Sequence, residues 1–143
     1  MKNEIEKLYR ALNRNEIEKG NRLIPKSFAY DFKDNARFAL KFPINLTNSI
    51  ENAIDNHQRF GGDIETIGIS TTIELDVAKG YAKKNKIIAI MSIEKIRSYG
   101  IKLYNVEDWI PSNNIIKPKD KEVILVAENN LFPEDIIIEI IEI

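Results

Sequence analysis

Residues 68–90 read GISTTIELDVAKGYAKKNKIIAI, and this stretch predicts a strand, a helix and a second strand in succession. The strand that precedes the helix is expected over 66–70. Thr72 is placed to cap a helix over 73–84, which has acidic residues in its first turn and lysines in its last. The apolar run KIIAIM predicts a buried strand over 86–91. The side of the helix predicted to be buried comprises Leu75, Val77, Ala78, Tyr81 and Ala82.

The N-terminal segment predicts a strand followed by a short helix. KLYRAL is expected to form the first strand, over 7–12. Asn13 can cap a helix over 14–19, because Glu16 is placed to complete a capping box and Gly20 to end the helix.

The rest of the chain adds one helix and three strands. Hydrophobic residues at three- and four-residue steps predict a helix over 47–59. The connections between the later strands are too short for repeated parallel crossovers, so the pattern favours an α+β fold with mostly antiparallel pairing. The strands are expected over 101–106, 122–126 and 136–143, and loops over 22–41, with room for one helical turn, and 109–118.

Length and composition limit the classes of function. The 143 residues suit one domain over 1–143, and the net charge of −1 gives no global attraction to nucleic acid or membrane. The absence of cysteine excludes disulfides, thiolate metal sites and a thiol nucleophile, and a single histidine excludes a histidine-rich metal site. We therefore predict no metal. No bilayer-length apolar run or signal peptide is recognised, so a cytoplasmic protein, or one delivered into a target cell's cytoplasm, is expected.

Three short motifs contain the candidate site residues. There is no phosphate-binding GxxxxGK[ST] loop and no GxGxxG, so a dinucleotide would not be bound by a Rossmann fold. What the chain does have is Tyr9-Arg10 on the first strand, Ser70-Thr71-Thr72 at the end of a middle strand, and Asp120-Lys121-Glu122 at the start of a late strand. Each has an ordinary interpretation when taken alone: a solvated arginine, a helix cap, and a turn before an exposed glutamate.

Together, these motifs resemble the arginine–serine–glutamate class of ADP-ribosyltransferases, which includes many bacterial toxins. The stretch 68–90 is similar to the family's strand, STT turn and alanine-tyrosine helix. EVILVAENNLFPEDII, residues 122–137, is similar to the closing segment of toxin-type members, and His57 with Gly61 also resembles them. The resemblance covers most of the chain and is weakest over 21–43.

The resemblance implies a fold and an NAD site. The fold would consist of two small, roughly perpendicular, mainly antiparallel sheets that form a split cleft for NAD. Arg10 would grip the pyrophosphate with two hydrogen bonds, since a planar guanidinium matches phosphate oxygens. Tyr9 and His57 would also belong to the NAD site. Thr71 and Thr72 would brace the split between the strands beside the bound NAD.

It also implies the catalytic residues. Breaking the bond between nicotinamide and ribose generates an oxocarbenium-like sugar, which the Glu122 carboxylate would stabilise while holding a ribose hydroxyl. The Ser70 hydroxyl would fix the rotamer of Glu122. Asp120 would face the acceptor and act as its base.

The function that the resemblance implies is transfer of ADP-ribose from NAD, as a substrate, to a macromolecule, with release of nicotinamide. A protein acceptor is favoured over nucleic acid, in a toxin-like or phage-conflict setting that could include an antitoxin or immunity partner. Arginine-modifying members carry Glu where this chain has Asp120, and others carry Gln, so the acceptor stays open. Two alternatives remain: an inactive member that binds NAD or a partner, and an enzyme that modifies RNA or DNA.

Overall fold

The strands in the described part of the chain form one antiparallel sheet with short helices packed on it. The computed structural model describes residues 6–24, 68–110, 113, 115, 117–127 and 131–143. The sheet has the strand order β4-β5-β2-β1-β3-β6, and every neighbouring pair is antiparallel. The predicted α+β class with antiparallel pairing is therefore confirmed. The strands are β1 (Lys7–Ala11), β2 (Ile69–Thr72), β3 (Ile87–Ser92), β4 (Lys102–Asn105), β5 (Glu122–Val126) and β6 (Ile137–Glu142).

Short helices connect these strands. A 3₁₀ turn over Pro118–Asp120 leads into β5, and another over Glu134–Ile136 leads into β6. None of the helices in the described ranges is long and apolar enough to cross a bilayer. The helices are α1 (Arg14–Glu18), α2 (Leu75–Tyr81), α3 (Ile93–Ser98) and α4 (Val106–Trp109).

The middle of the sheet is its weakest junction. β1 pairs with β3 through five residue pairs and β2 pairs with β5 through four, but β1 and β2 are joined by the single pair Tyr9 and Thr72. The expectation of two separate, roughly perpendicular sheets is not confirmed, because this pair makes the described strands one sheet. The structure thus consists of two well-paired groups of three strands that meet at one residue pair.

Both faces of the sheet are covered by apolar residues. One face carries the larger core, in which Leu8, Met91 and Leu125 are fully buried and Ile96 of α3 packs on them. The other face packs against α2, where Ala78 and Ala82 meet β3. Alternation of side chains along each strand supplies both sets of residues.

Several predicted boundaries need correction. The strand predicted over 66–70 is observed as Ile69–Thr72, so the STT residues belong to the strand, and 66–67 lie outside the described residues. The helix predicted over 73–84 is the shorter α2. The N-cap of α2 is Glu74, and Thr72 caps indirectly by accepting the Glu74 N–H at 3.1 Å.

Two short helices were not expected. α3 follows β3 directly, and the Ser92 hydroxyl caps it by accepting the Lys95 N–H at 3.2 Å. α4 occupies residues predicted as the end of a strand and the start of a loop. The predicted helix over 47–59 lies outside the described residues, as does the segment 25–41 of the predicted loop.

The α1 segment is tied to β1 by a buried ion pair. The predicted capping box is confirmed, with Asn13 and Glu16 exchanging hydrogen bonds of 2.8 and 3.1 Å, and Gly20 adopts a positive φ of 92° just beyond the helix. The Glu16 side chain is 0% exposed, and its carboxylate also accepts from the Arg10 Nε and the Ile24 N–H, each at 3.1 Å. The buried charge is therefore surrounded by donors, as burial of an ion requires.

We expect Glu16→Ala to lower the free energy of unfolding by about 3 kcal/mol or more, because it leaves the Arg10 guanidinium and two backbone N–H groups without their acceptor. Urea denaturation followed by circular dichroism measures the change. The matched control is Glu18→Ala in the same helix, which removes an exposed carboxylate and should change stability by about 0.5 kcal/mol or less. Equal effects of the two substitutions would contradict a stabilising role for the ion pair.

Candidate functional site

Arg10 reaches across the weak junction of the sheet. In an unbroken antiparallel register continued from Tyr9 and Thr72, Ala11 would lie opposite Ser70. Instead, the Arg10 Nη1 donates to the Ser70 carbonyl oxygen at 2.8 Å. A guanidinium thus satisfies a backbone acceptor at the place where ladder pairing stops.

The orientation of Arg10 is set by Glu16. The Nε donates to both carboxylate oxygens, and Nη2 lies 3.0 Å from Oε1. The Arg10 side chain keeps 15% of its surface exposed. Arginine has five N–H donors, so the terminal nitrogens retain donors beyond those bonded to protein in the described part of the chain. Arg10 is therefore a fixed cation with residual donors at the junction.

Ser70 and Glu122 meet across β2 and β5. Thr72 is the direct partner of Glu122 in this ladder, and Ser70, two residues earlier on the same face, lies diagonal to it. The Ser70 hydroxyl donates to the Glu122 Oε2 at 2.6 Å. The carboxylate is therefore held in one orientation by a residue whose carbonyl is bonded to Arg10.

The three predicted residues are thus linked through Ser70, although they start from different faces of the sheet. Tyr9 pairs with Thr72, so strand alternation places the next side chain, Arg10, on the face opposite to Ser70 and Glu122. The interruption of pairing between β1 and β2 lets the guanidinium reach the Ser70 backbone. Ser70 then links the arginine and the glutamate through its carbonyl and its hydroxyl.

The two threonines bond β2 to β5 and to the turn that precedes β5. Thr71 Oγ1 donates to the Val123 carbonyl oxygen at 2.7 Å, and Thr72 Oγ1 donates to the Asp120 carbonyl oxygen at 2.6 Å. Both threonines are buried. Their hydroxyl protons are used within the protein, on the β5 side of β2, so bracing of the split beside β1 and contact with NAD stay predictions.

Asp120 lies at the end of the turn that precedes Glu122. Lys121, between them, adopts the left-handed conformation with φ 49°. The Asp120 carboxylate accepts a short hydrogen bond from the Tyr81 hydroxyl, and the Lys117 Nζ donates to that hydroxyl at 3.3 Å. A small charged network therefore flanks Glu122.

The electrostatics of Glu122 follow from this setting. Burial raises the pKa of Glu122 above its ordinary value of 4.5, and the charge of Asp120 raises it further. The hydrogen bond from Ser70 and the charge of Lys117 lower the pKa and offset part of the rise. The site thus holds a carboxylate that ionises less readily than an exposed one and carries its charge in a partly desolvated position.

The remaining predicted site residues have other surroundings. Tyr9 is half-buried and packs with the cluster beneath α2, which includes Ala78 and Ile88. His57 lies outside the described residues, so its place in the NAD site stays a prediction. A depression of about 430 Å³ between α1 and the segment after α2, bounded by Arg14 and Lys84 among others, includes none of the predicted site residues.

Three site residues were not identified from the sequence. Glu16 was recognised only as part of a capping box, although it also pairs with Arg10. Tyr81 was expected on the buried side of its helix but is 56% exposed and bonded to Asp120. Lys117 fell in a predicted loop. The capping box was the one available signal, because it places the Glu16 carboxylate back toward the end of β1.

Comparison with known proteins yields no family: no protein-family model matches the chain, and no curated protein is significantly similar to it.

We expect Glu122→Gln to raise the free energy of unfolding at about pH 7, and the gain to shrink as the pH falls to about 4. The pKa of Glu122 is raised in the folded state, so the wild type loses stability as the pH rises through that value, whereas glutamine does not ionise. Urea denaturation across this pH range measures the difference. Glu142→Gln, at an exposed glutamate of β6, is the control and should show little difference at either pH. A gain that is independent of pH would contradict this account.

Proposed function

We propose that the protein transfers ADP-ribose from NAD to a macromolecular acceptor and releases nicotinamide. The observation that carries the proposal is the hydrogen-bonded series from Arg10 through Ser70 to Glu122, which joins residues from β1, β2 and β5. These are the residue types, in the order along the chain, that the resemblance to ADP-ribosyltransferases requires. Their linkage at the junction of β1 and β2, where pairing is reduced to one residue pair, supports the assignment.

The carboxylate supplies the chemistry. As the bond between nicotinamide and ribose breaks, positive charge develops on the sugar, and an ionised Glu122 beside it would stabilise that charge. Since the hydrogen bond from Ser70 fixes the carboxylate, little reorganisation is needed when the charge appears. The proposed role needs an ionised Glu122, so activity should be lost as the pH is lowered through its pKa. Because that pKa is raised, the loss should begin at a higher pH than it would for an exposed glutamate.

Arg10 supplies the anion site. The pyrophosphate of NAD is doubly charged, and a guanidinium whose position is fixed by Glu16 can bind it with the donors that remain on its terminal nitrogens. The exposure of 15% of the Arg10 side chain supports access from solvent. Because Glu16 occupies the Nε, an anion would be bound by the remaining N–H groups of Nη1 and Nη2.

The acceptor and the biological setting form the remaining part of the proposal. We favour a protein acceptor over RNA or DNA, because the net charge of −1 provides no general attraction to nucleic acid. Asp120, two residues before Glu122, is the proposed base for the acceptor. A toxin-like or phage-conflict role, with an antitoxin or immunity partner, completes the proposal.

One observation favours a second candidate, a protein that binds NAD or a partner without turnover. The Nε and Nη1 of Arg10 are already bonded to Glu16 and Ser70. These bonds limit how far the guanidinium can move as bound NAD changes during a reaction. Tight binding of NAD in calorimetry without release of nicotinamide would favour this candidate. Absence of binding would count against both.

The test uses NAD labelled in its adenylate part together with a cell lysate. We expect wild type to label macromolecules and release nicotinamide, and Glu122→Gln to reduce both by about a hundredfold or more, since it removes a preorganised charge. Ser70→Ala should give a smaller loss of about tenfold, because it frees the rotamer of Glu122 and keeps its charge. Glu142→Gln is the control with unchanged activity.

Two outcomes of this test would decide the proposal. Equally little labelling by wild type and Glu122→Gln would refute the enzymatic function. Nuclease treatment of the labelled lysate separates acceptors, because loss of the label from acid-precipitable material would assign it to RNA or DNA and retention would assign it to protein.

A further inference from the structure

A tyrosine on α2 holds the side chain of Asp120 from a distant part of the chain. Tyr81, the last residue of α2, lies 39 positions before Asp120, and its hydroxyl donates a short hydrogen bond to the Asp120 Oδ2. The Lys117 Nζ donates to the Tyr81 oxygen at 3.3 Å and stands 5.4 Å from the centroid of the tyrosine ring. Asp120 is thus linked to α2 through a hydroxyl that is itself contacted by a cation.

The backbone of Asp120 is fixed as well, by a residue of β2. Its carbonyl oxygen accepts from Thr72 Oγ1 at 2.6 Å, and Thr72 is the last residue of β2. The turn before Glu122 is therefore held at a carbonyl by the strand and at a carboxylate by the helix that follows it. This double attachment fixes Asp120 relative to the Ser70–Glu122 pair.

Core packing does not require the Tyr81 contact. The tyrosine is 56% exposed, so its ring contributes little burial, and ordering it with a lysine costs side-chain entropy. Burial and the Asp120 carboxylate raise the pKa of Tyr81, so the phenol keeps its proton and acts as the donor at neutral pH. An exposed contact of this kind, placed two residues from the proposed catalytic carboxylate, is better explained by the site than by stability.

We propose that Tyr81 is a positioning residue, which fixes the Asp120 carboxylate beside Glu122 and so directs ADP-ribose to the acceptor rather than to water. Lys117 supports Tyr81 in this role. The inference rests on the proposed function, and it adds a residue from α2 to a site otherwise built from β1, β2 and β5.

The step that Tyr81 would influence is the capture of the sugar. The bond from the anomeric carbon to the nicotinamide nitrogen breaks, and its electron pair leaves with nicotinamide. A lone pair of the acceptor forms the new bond to that carbon, and the acceptor's proton passes to the Asp120 carboxylate. If water takes the acceptor's place, the product is free ADP-ribose. A mispositioned Asp120 therefore favours hydrolysis over transfer.

The experiment measures what fraction of the nicotinamide-releasing reactions transfers ADP-ribose to a macromolecule. Protein is incubated with NAD labelled in the adenylate part and a nuclease-treated cell lysate, and acid-precipitable label, including label on the protein itself, is divided by nicotinamide released. We expect Tyr81→Phe to lower this ratio by about three- to tenfold, since it removes one hydrogen bond to a charged group. Combining Tyr81→Phe with Asp120→Asn should lower it no further than Asp120→Asn alone.

Tyr99→Phe provides a matched control. Tyr99 is 50% exposed, and its hydroxyl donates to both oxygens of Asp135 at 2.7 Å, at the start of the segment leading to β6. The substitution removes a tyrosine–aspartate bond of the same kind away from Glu122, so the transfer ratio should stay at the wild-type value. Melting temperatures of both phenylalanine variants identify any loss due to unfolding.

Each outcome separates this inference from the proposed function. An active wild type with an unchanged ratio in Tyr81→Phe, or an equal fall in Tyr99→Phe, would overturn the role of Tyr81 and leave the NAD chemistry intact. The same holds if wild type releases nicotinamide but labels no macromolecule, because Asp120 then has no acceptor to serve. A wild type that releases no nicotinamide would refute the proposed function and this inference with it.

Discussion

The arrangement of the site depends on Ser70, whose backbone and side chain are bonded to different partners. Its carbonyl oxygen accepts from Arg10 on one neighbouring strand, and its hydroxyl donates to Glu122 on the other. A continuous ladder between β1 and β2 would have used that carbonyl for strand pairing. The interruption after Tyr9 and Thr72 is therefore what makes the carbonyl available to a guanidinium.

Two buried or partly buried glutamates have different surroundings in this protein. Glu16 accepts from a guanidinium and two backbone N–H groups, so its charge is compensated and serves to orient Arg10. Glu122 accepts from the Ser70 hydroxyl, and its pKa is raised by burial and by the charge of Asp120. Groups with perturbed pKa values concentrate at functional sites, which is why the proposed function gives the chemistry to Glu122.

Local patterns in the sequence predicted most of the strands, and the reasons for the misses are physical. The strands that contain IIAIM and VILV were predicted because continuous apolar runs identify buried strands, and β5 has the bounds that were predicted. The boundary at the STT residues was misplaced because threonine suits both strands and helix caps, and here the pairing of Thr71 and Thr72 with β5 decides between them. α3 was missed because its six residues are too short to show a clear period.

The candidate site was predictable only in part, for a similar reason. Order along the chain suggested Arg10, Ser70 and Glu122, but nothing local to Tyr81 indicates that it leaves the core and reaches Asp120. That contact depends on how α2 lies against the turn before β5, which is a tertiary property. The same applies to the second function of Glu16, since a capping box does not specify a partner on the preceding strand.

The left-handed Lys121 has a consequence for how β5 begins. A residue other than glycine pays about 1 kcal/mol or more to adopt this conformation, so the neighbouring contacts must hold it there. The carbonyl of Asp120, bound by Thr72, and the pairing of Glu122 with Thr72 clamp the two sides of Lys121. One threonine thereby fixes the backbone on both sides of Lys121, and with it the position of the Asp120 backbone relative to Glu122.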